Sequence, residues 1–355
     1  MFRTSRLANC RGLIALALIF LTAGCTNADV RSLNGAGSVF PSETQAMRKK
    51  LHETRARVIH LAELSKKTYL TDGREKNCPG FLTASPNTEC FSVAVPKSRK
   101  GHRVVYIIET NHEKQEQFIA IRGTNNLADL RKDFQTRRVM DDDLEVKIHS
   151  GFQMIAKAIH EDITKNLRLV PTYKTLLTGH SLGGATAILT GLYLLAEGRD
   201  VEAIYTYGQP KIFDNTGTTR WPGFFSERVF RVVNCDDPVP ILPTQEKKLN
   251  SIFRFTTFNK DRLTNYQHMG QSLLLMDGGR FWMPGSIEVE RDLSTSVKDA
   301  MIGWVKGQSI DHGIEEYIFR IKAIPMDSFK AIPVHPSTEF ACSRIAPRPV
   351  MALSN

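Results

Sequence analysis

Ser181 stands in Gly179-His180-Ser181-Leu182-Gly183, between two glycines, where the apolar run Thr175–Thr178 gives way to a long segment rich in Ala, Leu and Ile. A Gly-x-Ser-x-Gly pentapeptide arises by chance roughly one time in ten in a chain of this length, so the context carries the information. A serine at a sharp strand-to-helix turn holds its hydroxyl clear of the backbone, and the glycines leave room for the turn and for close packing. The helix that follows points its N-terminal amides at the place where an oxyanion would develop. The chemistry is acyl transfer through a serine nucleophile. A hydroxyl attacks well only when a base takes its proton. For a turn of this kind the acid and then the histidine are expected later in the chain, each on a loop after a strand. Asp236 and Asp237 compete for the acid in Val233-Asn234-Cys235-Asp236-Asp237-Pro238; His312 in Ser309-Ile310-Asp311-His312-Gly313 is the base candidate, and His268 also follows the acid.

The elements around these residues alternate. Good helix formers with apolar Val58, Leu61, Ala62 and Leu64 predict an amphipathic helix from about Glu43 to Tyr69. FSVAV, RVVYIIET and QFIAIRGT read as strands, the last two joined by a hairpin at Asn111-His112-Glu113-Lys114. A helix from Phe152 to about Leu169, the strand into Ser181, the apolar helix after it, and strands at 203–208 and 228–234 follow. SIFRFTTF and QSLLLMDGGRFWM add β structure, with a tight turn at Gly278-Gly279. Val297–Trp304 and Ile314–Ile321 read as helical. Strands alternating with helices imply an α/β fold with a mostly parallel central sheet, and the hairpins add antiparallel pairs.

The N-terminus reads as an export signal. Arg3, Arg6 and Arg11 precede the apolar run Leu13–Leu21, which is too short to span a bilayer comfortably. Leu21-Thr22-Ala23-Gly24-Cys25 resembles a bacterial lipobox, with Thr22 in place of the more usual leucine. Residues 1–24 are therefore expected to be a lipoprotein signal peptide, with Cys25 the lipidated residue. Residues 25–43 are the lipidated cysteine and a flexible tether, 44–324 the folded domain, and 325–355 an irregular proline-containing tail. The localisation expected is the bacterial cell envelope, reached by general secretion, with the protein lipid-anchored to a membrane. Two or three acyl chains anchor stably where one is marginal.

The chain of 355 residues is 41% hydrophobic and 24% charged, ordinary for a globular protein. Its net charge of +10, less the three arginines of the signal, leaves +7. That modest surplus suits an anionic membrane surface. The basic residues are scattered and no recognition motif accompanies them, so nucleic acid is not expected as a partner. Cys78 and Cys90 flank a loop containing Pro79, Gly80, Pro86 and Asn87 and form a candidate disulfide in an oxidising compartment. Cys235 and Cys342 are left to pair or stay free. No His/Cys spacing suggests a metal site, and no cofactor is expected.

Seven segments occur together and in order: IAIRGT, HSGF, GHSLGGA, YGQPKIFDN, VNCDDPVPILP, YQHMGQSLLL and DHGIEEYI. The chain resembles the class 3 lipases, the fungal-lipase-like branch of the α/β-hydrolases, from about residue 50 to 322. The resemblance implies an α/β-hydrolase fold with helices on both faces of the sheet and antiparallel hairpins at its edges. It implies Ser181 as nucleophile, Asp237 rather than Asp236 as acid, because the family's acid precedes a hydrophobic-Val-Pro triplet (here Pro238-Val239-Pro240), and His312 as base. His268 and His149 fall at structural landmarks of the family, and His180, beside Ser181 in the elbow, is expected to pack and hydrogen-bond away from the nucleophile. The oxyanion hole is implied to use the Leu182 amide and Thr124, the residue after Arg-Gly.

The implied activity is serine-dependent hydrolysis of carboxylic esters, with lipid or small esters as substrates. A catalytically idle binding module on the same fold, or an acyltransferase with the same triad, is the alternative. In the family the segment after the oxyanion threonine forms a lid. Here it is NNLADLRKDFQTRRVMDDDLE, with Leu127, Leu130 and Phe134 at helical spacing among many charges. Arg137 and Arg138 are equally readable as phosphate-attracting residues and as solvated loop charges.

Overall fold

The structure is a computed structural model that describes residues 41–70, 78, 86–96, 102–124, 138–243, 266–275, 281–282 and 312–324. The chain divides into a short N-terminal unit, Met1–Arg48, and a main unit, Lys49–Asn355. The residues read as signal and lipid anchor, the segment 125–137, SIFRFTTF, Val297–Trp304 and the residues from 325 lie outside the described residues.

Eight strands form one sheet: β1 (Thr88–Ala94), β2 (Arg103–Asn111), β3 (Glu116–Ile121), β6 (Lys174–His180), β7 (Val201–Tyr207), β8 (Val229–Asn234), β9 (Gln271–Leu275) and β10 (Phe281–Trp282), adjacent in that order. β3, β6, β7, β8 and β9 run parallel, while β1–β2–β3 and β9–β10 pair antiparallel. This is a mostly parallel α/β sheet with antiparallel pairs at its edges. Parallel neighbours need crossovers; helices at 150–165, 182–196 and 215–228 lie in those from β3 to β6, β6 to β7 and β7 to β8.

The alternation of each strand divides the core in two. Ile119 and Ile121 of β3, with Tyr106 and Ile108 of β2, face one side, where α2 (Ser150–Lys165) and α3 (Leu182–Ala196) pack through Phe152, Ile159, Ile188 and Leu192. Two short helices, α4 (Asn215–Arg220) and α5 (Pro222–Arg228), lead into β8. Phe118, Ala120, Ile107, Tyr205 and Tyr207 face the other side, covered by Val58, Leu61 and Leu64 of α1 (Pro41–Lys67) and by Tyr317, Ile318 and Ile321 of α6 (Ile314–Ala323). α3 is buried for its first thirteen residues, which is why its sequence is apolar all round rather than striped. A short 3-10 turn, Thr68–Leu70, ends α1 and brings Tyr69 toward the end of β6. Cys78 and Cys90 are joined by a disulfide, with Cα atoms 5.8 Å apart. Cys235 is buried and disulfide-bonded, and Cys342 lies outside the described residues.

One region differs from its reading in sequence. Residues 125–145 read as polar and lid-like, yet β4 (Arg138–Asp141) and β5 (Val146–His149) form a separate two-stranded hairpin. Leu144, Val146 and Ile148 are fully buried there, and so is the charged Asp141. The carboxylate is tolerated because it is satisfied. Tyr193 Oη lies 2.5 Å from it, Gln153 Nε2 2.6 Å, the Leu144 amide 2.9 Å and Lys157 Nζ 3.2 Å. Burial pushes this carboxyl's pKa up, but those hydrogen bonds and Lys157 outweigh burial and hold it below the usual carboxylate range. A depressed folded-state pKa gives stability that is present above the unfolded value and is lost as pH falls through the folded one. Asp141→Ala strands the Tyr193 and Gln153 donors, so it is expected to cost about 2–4 kcal/mol. Denaturant unfolding of the two proteins should show that gap at neutral pH and a smaller one below about pH 4.

Arg138, at the start of β4, is not a free cation. Its Nη1 is 3.2 Å from Asp214 and its guanidinium lies 5.4 Å from the Tyr266 ring centre. The reading of Arg138 as a phosphate-attracting residue is therefore not supported: its charge is already paired. Arg137 lies outside the described residues.

Candidate active site

The turn after β6 forces Ser181 into a conformation side chains rarely take, with φ 58° and ψ −129°. Holding such a residue costs about 1–3 kcal/mol, and the surrounding contacts must enforce it. The Ser181 amide donates to the Tyr207 carbonyl at 2.8 Å, and the Ser181 carbonyl accepts from Gly184 at 3.0 Å. The glycines are needed for approach. A Cβ on Gly183 would overlap the Ile121 carbonyl of β3, and one on Gly179 would overlap the Gly183 backbone. The elbow thus works only if α3 is pressed against the ends of β3 and β6, which is what puts Ser181 at the top of the sheet.

His312, just before α6, places Nε2 2.8 Å from Ser181 Oγ, and its Nδ1 lies 2.7 Å from Asp237 Oδ2. Asp237 sits on the turn after β8. Its Oδ1 accepts from the Val239 amide at 2.8 Å, and its Oδ2 also accepts from Tyr317 Oη at 2.5 Å. Tyr317 in turn accepts from the Asn234 amide at 3.2 Å. Burial, with the nearby Asp237 charge, keeps the Tyr317 phenol protonated and so a donor. All three of Ser181, His312 and Asp237 are buried, which strengthens the charge interactions among them. Asp236 points elsewhere and pairs with Arg320 at 3.4 Å.

The other histidines have separate tasks. His268 Nε2 bonds to the Pro240 carbonyl, bracing the loop after the acid. His149 stacks on Phe152 at 4.3 Å between ring centres. His180 bonds through Nε2 to the His312 carbonyl at 2.5 Å and through Nδ1 to Tyr69 Oη at 2.8 Å.

β3 delivers the second oxyanion candidate. It pairs with β6 with Ile121 opposite Gly179. Thr124 lies three residues beyond that last pair, just past the end of β3. Gly123 is packed against the His180 carbonyl and the Gly183 amide, fixing the strand end that carries Thr124. Tyr317 and Tyr69, which touch the acid and the elbow histidine, are not among the sequence candidates. Their contacts span 80 and 111 residues, and no local pattern announces them.

A strained serine elbow, a histidine in line with it and a carboxylate behind the histidine fit the family that the sequence itself matches. The profile described as "Lipase (class 3)" covers residues 118–247. Over that stretch the chain is similar to the class 3 lipases. Among curated relatives, a secreted mono- and diacylglycerol lipase of Fusarium solani is 30% identical over 168 residues, covering 44% of this chain and 49% of that protein. The toxin TseL of Vibrio cholerae is 29% identical over 195 residues, covering 48% of this chain and 30% of that protein. The chain thus spans about half the length of the first of these relatives and less of the second. Lipase II from Rhizopus niveus, a solved structure, is similar at 21% identity with a TM-score of 0.47, covering 68% of this chain and 86% of that one.

Proposed function

We propose that the protein hydrolyses carboxylic esters of lipids through an acyl-enzyme on Ser181. The observation that carries this reading is the line from Ser181 Oγ to His312 Nε2 at 2.8 Å and from His312 Nδ1 to Asp237 Oδ2 at 2.7 Å. In the first half-reaction Ser181 Oγ attacks the ester carbonyl while His312 Nε2 takes its proton. Asp237 holds the imidazole with Nδ1–H toward itself and stabilises the imidazolium. The Leu182 and Thr124 amides donate to the oxyanion. Collapse returns the proton to the departing alcohol. Water then attacks the acyl-enzyme with the same base, releasing the acid and regenerating Ser181. Nothing in these steps calls for a metal or organic cofactor.

The substrate class follows from the family together with the N-terminal segment. A protein anchored through lipid on Cys25 would meet acyl esters in a membrane rather than in dilute solution. Release of acyl groups from short-chain, long-chain and phospholipid esters should show a preference for long chains and a rise in rate as substrate passes from monomers to micelles. A rate that ignores aggregation would reduce the reading to a soluble esterase, and absence of hydrolysis with every ester would end it. Cys25→Ser should release the protein from the membrane fraction; retention there would remove the lipid anchor from the proposal.

A further inference from the structure

Behind the triad runs a second line of hydrogen bonds, made of residues that the reaction scheme does not use. Burial, then the neighbouring His312, keeps His180 neutral, so its ring carries one N–H. The His312 carbonyl can only accept, so that hydrogen is on Nε2, 2.5 Å away. Nδ1 is then an acceptor, and Tyr69 Oη, 2.8 Å away, must donate to it. The Tyr69 oxygen packs closely against Gly123, and burial keeps the phenol protonated. The direction of both bonds is therefore set: Tyr69 O–H to His180 Nδ1, and His180 Nε2–H to the His312 carbonyl.

The two ends of this line are the parts that acyl transfer must hold in one frame. Gly123 immediately precedes Thr124, the oxyanion candidate; the His312 carbonyl belongs to the base itself. The middle is dense. A Cβ on Gly123 would overlap Tyr69 Oη, and the His180 and His312 rings lie 4.6 Å apart between centres. Arg122 sits 5.5 Å from the Tyr69 ring centre. Phenylalanine at 69 would keep that ring packing and remove only the hydroxyl.

We propose that Tyr69 and His180 are a positioning pair that locks the backbone of His312 to the end of β3, so that base and oxyanion hole are aligned together. This rests on the esterase reading for its kinetic consequence, though not for its structural one. Tyr69 comes from the end of α1, far from the reaction in sequence, and touches neither Ser181 nor a reacting atom. Its action is through His180 and Gly123. Small misalignments of a base near its nucleophile lower turnover far more than binding.

Tyr69→Phe and His180→Gln test the proposal. With a soluble ester, kcat should fall about 10- to 100-fold in Tyr69→Phe while KM stays within about twofold. Fluorophosphonate should still label a full equivalent of Ser181, more slowly, which separates misalignment from misfolding. The low-field proton signal of the His312 Nδ1–H, which Asp237 accepts, gives a readout independent of turnover. It should shift or broaden in Tyr69→Phe and in His180→Gln. An unmoved signal in Tyr69→Phe, or a loss carried by KM with kcat intact, would overturn the positioning role. If the wild-type protein hydrolysed no ester, the esterase reading would fail, and the proton signal would still decide whether Tyr69 positions His312.

Discussion

Ser181→Ala is expected to lower kcat for ester hydrolysis by about 10⁴- to 10⁶-fold and to abolish fluorophosphonate labelling. The hydroxyl is the attacking atom, and no neighbouring group can replace it within the 2.8 Å line to His312. The change should leave the fold alone. Alanine at φ 58° is strained much as serine is, and the glycines that press α3 against β3 are untouched. The melting temperature should therefore stay within a few degrees of wild type. Residual activity above that range with an intact fold would mean that water or another side chain attacks directly, and Ser181 would lose its role.

Asp237→Asn comes next in size, with an expected loss of about 10⁴-fold in kcat. The carboxylate offers only acceptors. Oδ1 takes the Val239 amide, and Oδ2 takes both the Tyr317 hydroxyl and the His312 Nδ1–H. An asparagine that keeps its oxygen on Val239 turns its NH₂ toward His312 and Tyr317. His312 then faces a donor with Nδ1 and moves its hydrogen to Nε2, where it can no longer take the Ser181 proton. Asp236→Asn is the matched control. Asp236 faces Arg320, whose guanidinium keeps Glu316 at 2.9 Å, so the control should retain kcat within a few-fold. Measured kcat values in which Asp236→Asn fell as far as Asp237→Asn would contradict the geometry. The double variant Ser181→Ala with Asp237→Asn should be no slower than Ser181→Ala alone, because the two residues act as one unit.

Much of this site is legible in the amino-acid sequence, and the legible parts share a character. The elbow can be read because its requirements are contiguous: a strand, a serine at positive φ, glycines at Gly179 and Gly183, then an apolar helix. Continuous apolar runs mark β2 and β3, and the all-round apolar sequence of α3 announces its burial. The β4–β5 hairpin is hidden because its most polar residue, Asp141, is buried against Tyr193, Gln153 and Lys157. A buried charge with distant partners reads in sequence as a solvent-facing one.

By itself, then, the sequence determined the nucleophile, the alternation that builds a parallel sheet, and a short set of acids and bases by resemblance. Only the tertiary structure decided how they meet. It turned Asp237 to His312 and Asp236 to Arg320, although both occupy one loop. It tied His268 to Pro240, and it brought Tyr317 onto the acid and Tyr69 onto His180. The reason is physical. Backbone strain and side-chain alternation are properties of neighbours along the chain, whereas a hydrogen bond's direction is chosen by whichever donor and acceptor the packed sheet brings within about 3 Å. Here those partners lie 28 to 111 residues apart.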